Sequence, residues 1–257
     1  MKNILKIMLM MITIFTIAGS AVYAAEIPVS DQDQLITSSD WTEISNLQDE
    51  MKKEEPDATI DYDKALKVYV DCNLIKLQTA DTKKLTSALE SANYVWVIPF
   101  KMEKTYGMFT VAKGLPLREE AKSVLTKAEQ EEVKNHAGKW MITEIAEHTV
   151  EPYYDILLEK REALSDCTRV VLVGSQPGMR QPVALGMDDE TARIWISLGY
   201  QYPVMEKIPE TQNVESGVYS FDSVAEISDT YIEDSEVSTG AGVQSRSSMK
   251  YVAGIGI

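Results

Sequence analysis

The side chains of this chain that could do chemistry are few. Its 257 residues hold two histidines and two cysteines, against 40 Asp plus Glu. His148 closes the run Glu144-Ile145-Ala146-Glu147-His148, which is the inverted zinc motif His-x-x-Glu-His with Glu in the first ligand position. That motif needs its end residues on one helix face. Here it lies in a strand-like run, so zinc chemistry is not expected. Gly174-Ser175-Gln176-Pro177-Gly178 comes near the nucleophile elbow Gly-x-Ser-x-Gly. Its serine is second rather than third, and a proline stands where the helix should begin, so it reads as a loop. Ser247-Ser248-Met249-Lys250 has Ser-x-x-Lys spacing without a helix to pair the two side chains. Asp31-Gln32-Asp33 and Asp61-Tyr62-Asp63 lack the central Gly and closing Glu of a calcium loop. Neither nucleotide fingerprint, Gly-x-x-x-x-Gly-Lys or Gly-x-Gly-x-x-Gly, occurs. No catalytic, cofactor or metal site is expected.

Carboxylates and aromatics remain. A glycosidase needs two carboxylates a few ångströms apart, and spacing singles out no pair among the 40. Tyr94, Trp96, Ile98 and Phe100 alternate with Val95, Val97 and Pro99, so they share one face of a strand. Tyr94, Trp96, Trp195, Tyr200 and Tyr202 are the candidates for an aromatic surface that stacks on a sugar or a partner protein. The competing reading for Trp96 is a strand buried on both faces. Cys72 and Cys167 define one intramolecular disulfide in an oxidising compartment. The competing reading is two separate buried thiols.

Export is written at the amino terminus. Lys2 and Lys6 precede an apolar run from Ile7 to Ala18, and Gly19-Ser20 lead to Ala21-Val22-Tyr23-Ala24. This is a secretory signal peptide over residues 1–24, with the cut after Ala24. The chain is therefore expected outside the cell, secreted or held at the surface. Its net charge is −15, and losing the two signal-peptide lysines makes it more negative. Such a charge is repelled by nucleic-acid phosphate and anionic lipid. An extracellular protein or glycan is the expected partner, and the role is a non-enzymatic binding or interaction module. The alternative is an exported carboxylate-based hydrolase acting on wall or glycan polymers.

The elements that must position these groups follow from periodicity. Residues 25–56 read as a polar linker and a short helix bearing Trp41, Ile44, Leu47 and Met51, capped by Ser39-Asp40. Residues 57–205 read as one α+β domain, a mainly antiparallel sheet with packed helices. Strand-like alternation runs from Leu66 to Leu74, Asp81 caps a helix with Leu85 and Leu89, and residues 94–100 and 108–112 form a hairpin. Broken helices fill 117–138, restarted by the capping box Thr126 to Glu129. A strand at 140–145, a helix from Pro152 and strands at 170–173, 182–186 and 191–196 complete the domain. The order strand, helix, strand, strand occurs twice, as in two β-α-β-β units. Residues 206–248 read as an acidic, Ser-rich spacer. Residues 249–257 form an apolar tail, shorter than the ~20 residues of a span, which reads either as the start of a membrane anchor or as a loose tail of the soluble domain. Amino-terminal sequencing of exported material should return Ala25 first, and an intact Met1 there would contradict the cleavage.

Overall fold

Alternating apolar residues in this chain find their partners in one mixed sheet, so the class is α+β. The computed structural model describes residues 27–148, 151–174, 176, 179, 181–199, 213–215 and 217–234. The strands are β1 (Thr59–Ile60), β2 (Leu66–Val70), β3 (Asn93–Lys101), β4 (Tyr106–Lys113), β5 (Trp140–His148), β6 (Arg169–Val173), β7 (Val183–Met187), β8 (Ala192–Ser197), β9 (Asn213–Glu215) and β10 (Val218–Ser220). Their order is β5-β4-β3-β2-β6-β7-β8-β10-β9, with β1 beside β3. Among the described strands, β2 and β6 form the one parallel ladder, pairing Val68 with Leu172 and Tyr69 with Val173. Antiparallel neighbours extend outward on each side of it, so two meanders meet at this seam.

The helices are α1 (Trp41–Ile44), α2 (Gln48–Glu54), α3 (Thr82–Glu90), α4 (Lys127–His136), α5 (Tyr153–Glu159) and α6 (Phe221–Asp234). One sheet face carries Tyr69, Val171, Val173, Val183, Leu185 and Trp195, covered by Leu85 and Leu89 of α3 and by Val224 of α6. Farther along that face, Trp96, Ile98, Phe100, Phe109 and Val111 pack under Ile44 of α1 and Met51 of α2. The opposite face carries Leu66, Val68, Val97, Met108, Val170, Leu172, Ala184 and Ile196 under Leu157 of α5, with Ile27, Val29 and Leu164 alongside.

Local signals hold where they are self-contained. Asp81 accepts from the Lys84 amide at the start of α3, and Thr126 and Glu129 form a reciprocal capping box at α4. The structure departs from expectation elsewhere. The stretch 25–56 is not a free linker in its described part, because Ile27, Val29, Leu35 and Asp33 are all buried against the sheet. Asp40 stands at the N-cap of α1, but its carboxylate makes no capping bond; it accepts instead from the Tyr94 hydroxyl at 2.9 Å and the Trp96 indole at 3.0 Å. β2 ends at Val70 because Asp71 takes a left-handed φ of 58°, so Leu74 leads into a 3-10 turn instead of extending the strand. Helix α6 (Phe221–Asp234) lies inside the stretch 206–248 that reads as a spacer. The tail 249–257 and the stretch 1–24, expected to be a signal peptide, lie outside the described residues. Among those described, no helix is long and apolar enough to cross a membrane.

Gly107 shows how tightly β3 and β4 meet. It pairs with Phe100, and a Cβ on Gly107 would fall inside the van der Waals envelope of that ring. Gly107→Ala should cost about 1–3 kcal/mol through overpacking, read as a lower urea midpoint with an unchanged slope. An unchanged midpoint would contradict this placement of the ring.

Candidate functional site

Glu144 lies in the middle of β5, where alternation alone would turn it toward the face that holds Ile142. Ile142 and Ile145 both pack on the core beneath α1 and α2, although they are three residues apart in one strand. A β-bulge resolves the conflict. Thr110 of β4 pairs with Glu144 and Val111 with Ile142, leaving Thr143 as the extra residue. The Thr143 hydroxyl donates to the Thr110 carbonyl at 3.1 Å and holds the bulge in place. Bulges re-aim side chains in this way. Glu144 thus shares a face with Thr110, and through it with Val97 of β3, whose side chain belongs to the core under α5.

On that face Glu144 is half-buried, and among the described residues its carboxylate has no hydrogen bond or ion pair. Loss of water alone pushes its pKa up. Tyr153 opens α5 and packs at the margin of the same core. Burial raises the pKa of its phenol, and the Glu144 charge raises it further. The Tyr153 hydroxyl also has no partner among the described residues. The helix carrying it is held down by Lys64, whose ammonium donates to Asp155 at 2.8 Å. Val95, Tyr154 and Ile156, all half-buried, complete the margin.

Buried polar groups are normally paired, and an unpaired one loses hydration without return. Neither the Glu144 carboxylate nor the Tyr153 hydroxyl is among the fully buried polar atoms that lack a partner, so both keep contact with solvent and stay open to a docking molecule. Perturbed acids of this kind concentrate at functional sites.

The aromatic candidates are placed differently. Trp96 and Trp195 are both 0% exposed, so neither offers a binding surface. Helices α1 and α2 close over Trp96, and Phe221 of α6 lies 6.1 Å from the Trp195 ring. Tyr94 is half-buried, its hydroxyl committed to Asp40 and its ring 5.9 Å from Trp140. Tyr200 and Tyr202 lie outside the described residues. Cys72 and Cys167 are free thiols in separate cores on opposite faces of the sheet. Burial pushes each thiol pKa up to about 11.

A second polar cluster lies under the amino-terminal segment, where most groups pair with one another although the Arg169 Nε is left without a partner. Asp33 accepts from Ser30 at 2.6 Å, Tyr69 at 2.7 Å and Arg169 at 3.0 Å. The Lys67 ammonium sits 3.7 Å from Asp33 and 4.6 Å from the Tyr94 ring centroid. Desolvation lowers the Lys67 pKa, against the opposing pull of Asp33. With that segment in place the cluster serves packing and offers nothing to a ligand. Asp57 and Glu103 line an open depression with Lys101 at the β3–β4 turn. Among the described residues no group of three or more His, Cys, Asp or Glu could hold a metal ion.

Comparison with protein-family models, with curated proteins and with solved structures finds no match to this chain. Function must be argued from chemistry alone.

Motif reasoning met Glu144 only as a failed zinc ligand and Tyr153 only as part of an apolar stripe. The usable signal was the three-residue gap between Ile142 and Ile145 in a strand of period two. Because the folded-state pKa of Glu144 lies above its unfolded value, the folded chain binds the extra proton. Ionisation then removes stability as pH rises through the window between the two values. Glu144→Gln should therefore melt above wild type at pH 7, with the gain shrinking toward about pH 4, where free Glu protonates. A gain that does not depend on pH would contradict the desolvated carboxylate.

Proposed function

We propose that this chain is an exported, non-enzymatic binding module that works at or near the cell surface, with Glu144 and Tyr153 as its contact point. The supporting observation is that the Glu144 charge acts on the Tyr153 phenol at a half-buried margin where neither group has a partner among the described residues. Export rests on the signal-peptide pattern of residues 1–24, and the acid charge of −15 favours partners bearing positive or neutral groups over nucleic acid.

The hydrolase reading is weaker at this site. A glycosidase pairs a raised-pKa acid with a second carboxylate. Desolvation is the sole cause of the Glu144 shift, with no neighbouring carboxylate contributing.

The two β-α-β-β units belong to the same proposal. The chain order β2, α3, β3, β4 and then β5, α5, β6, β7 supports them. Pairing differs between the two, since β2 lies beside β3 whereas β5 lies beside β4 and away from β6.

Sedimentation with purified cell walls tests the function. Wild-type protein should pellet with the walls, and a Glu144→Ala, Tyr153→Phe double variant of equal fold should stay in solution. Mass analysis should find the walls chemically unchanged. Soluble fragments released by wild type would establish the hydrolase instead.

A further inference from the structure

On the sheet face away from Glu144, and independent of its role, the amino-terminal segment covers a cluster of hydrogen-bond donors. We propose that Lys67, Tyr69 and Arg169 form a seat for a phosphate group, which Asp33 fills as a tethered stand-in until an outside phosphate displaces it and lifts the segment. The backbone makes the seat first. β2 and β6 pair at Val68 with Leu172 and at Tyr69 with Val173. Toward their starts the two strands part, and residues 28–34 lie in the gap as a strap, with Val29 bridged to Val170 and Gln34 to Leu66. Lys67 and Tyr69 of β2 and Arg169 of β6 alternate with residues of the core under α5, so all three side chains stand on the opposite face beside that gap.

Asp33 reaches the seat through both carboxylate oxygens. Oδ1 accepts from the Tyr69 hydroxyl at 2.7 Å and lies 3.7 Å from the Lys67 ammonium. Oδ2 accepts from Arg169 Nη2 at 3.0 Å and from Ser30 of the strap itself at 2.6 Å. The fit is incomplete. A guanidinium holds an oxyanion best through two parallel N–H groups, yet Arg169 gives Asp33 one, and its buried Nε has no partner. A phosphate monoester brings three acceptor oxygens and a charge of about −1.5 to −2, enough to take both Arg169 N–H groups, Lys67 and Tyr69 at once. Acetate is a poor competitor, because it repeats the Asp33 carboxylate without the tether that raises its effective concentration. The strap can leave without undoing the sheet, since β2 and β6 keep their own pairing beyond the gap. Its outer side is exposed at Asp31, Gln32, Ile36 and Thr37, and its two 3-10 turns carry no side-chain cap bond. The net charge of −15 does not close the seat to an anion. Distant exposed charges are screened beyond about 8–10 Å, whereas Lys67 and Arg169 act at contact.

Amide hydrogen exchange of the full chain, in phosphate, acetate or chloride at equal ionic strength, reads the strap through two bonds that hold it. These are the Val170 amide to the Pro28 carbonyl and the Leu35 amide to the Ala65 carbonyl. In about 100 mM phosphate both amides should exchange roughly twofold faster than in chloride, or more, the factor reached once phosphate equals its dissociation constant for the open form. Acetate should leave them at the chloride rate. The general salting effect of phosphate strengthens burial and slows opening, so the sign of the change separates binding from salting. Asp33→Ala gives a second reading, because its seat is vacant. Phosphate should raise the urea midpoint of this variant more than that of wild type, and adding Arg169→Met should abolish the excess. Glycerol 3-phosphate acting as strongly as phosphate would admit an ester as the source, and a weaker effect would assign the free ion; either result supports the proposal. Wild-type exchange at Val170 and Leu35 that phosphate leaves unchanged or slows would overturn it, whether or not Asp33→Ala folds. Acetate matching phosphate, or an equal phosphate gain in the single and double variants, would overturn it too.

Discussion

One buried carboxylate, Asp33, ties the two halves of this protein together. The parallel seam of β2 and β6 joins two antiparallel meanders, and parallel pairs are held slightly less firmly per residue than antiparallel ones. Asp33 spans that seam from above. It accepts from Tyr69 of β2 and Arg169 of β6 while Lys67 of β2 lies alongside. The strap bearing it is fastened further where Val29 bridges Val170 and Gln34 bridges Leu66. Two cations and one carboxylate in so dry a place would be costly without compensation. The second carboxylate, Asp40, supplies part of it, raising the Lys67 pKa against burial while accepting from Tyr94 and Trp96. The aromatic rings around Lys67 supply the remainder.

The candidate site depends on this seam from the other side of the sheet. Leu66, Val68, Val170 and Leu172 belong to the same two strands, and their opposite faces form the floor on which α5 rests. α5 carries Tyr153 over that floor, and the bulge in β5 brings Glu144 to it. The two faces thus have opposite electrostatic characters. Beneath the strap the charges face one another, although the Arg169 Nε is left unpaired, whereas Glu144 and Tyr153 have no charged partner among the described residues. Function is argued from that contrast, since stability alone would favour an apolar residue at position 144.

Local signals in the sequence carried most of the elements. The β3–β4 hairpin, the Asp81 cap and the Thr126 box each lie within a few residues of their own partners, so spacing reveals them. The strap does not reveal itself, because Asp33 looks like one of 40 acids until Tyr69 and Arg169 are brought to it across 36 and 136 residues. Trp96 and Trp195 look equally able to face solvent or core, and only the helices that arrive from elsewhere in the chain decide. Glu144 sits between these cases. Its direction is set by a single inserted residue, which the gap between Ile142 and Ile145 encodes, yet the phenol it meets belongs to a different element.

A double-mutant cycle on Asp33 and Arg169, followed by urea unfolding, tests the tie between the halves most directly. Asp33→Ala alone should cost about 3–5 kcal/mol, because it strands Arg169 and Lys67 without their carboxylate. Adding Arg169→Met should recover a substantial part of that loss, since one stranded cation is gone, giving a coupling of order 1 kcal/mol or more. A single-variant cost within about 0.5 kcal/mol of wild type, the range of an ordinary surface change, or strictly additive losses in the double variant would contradict the account.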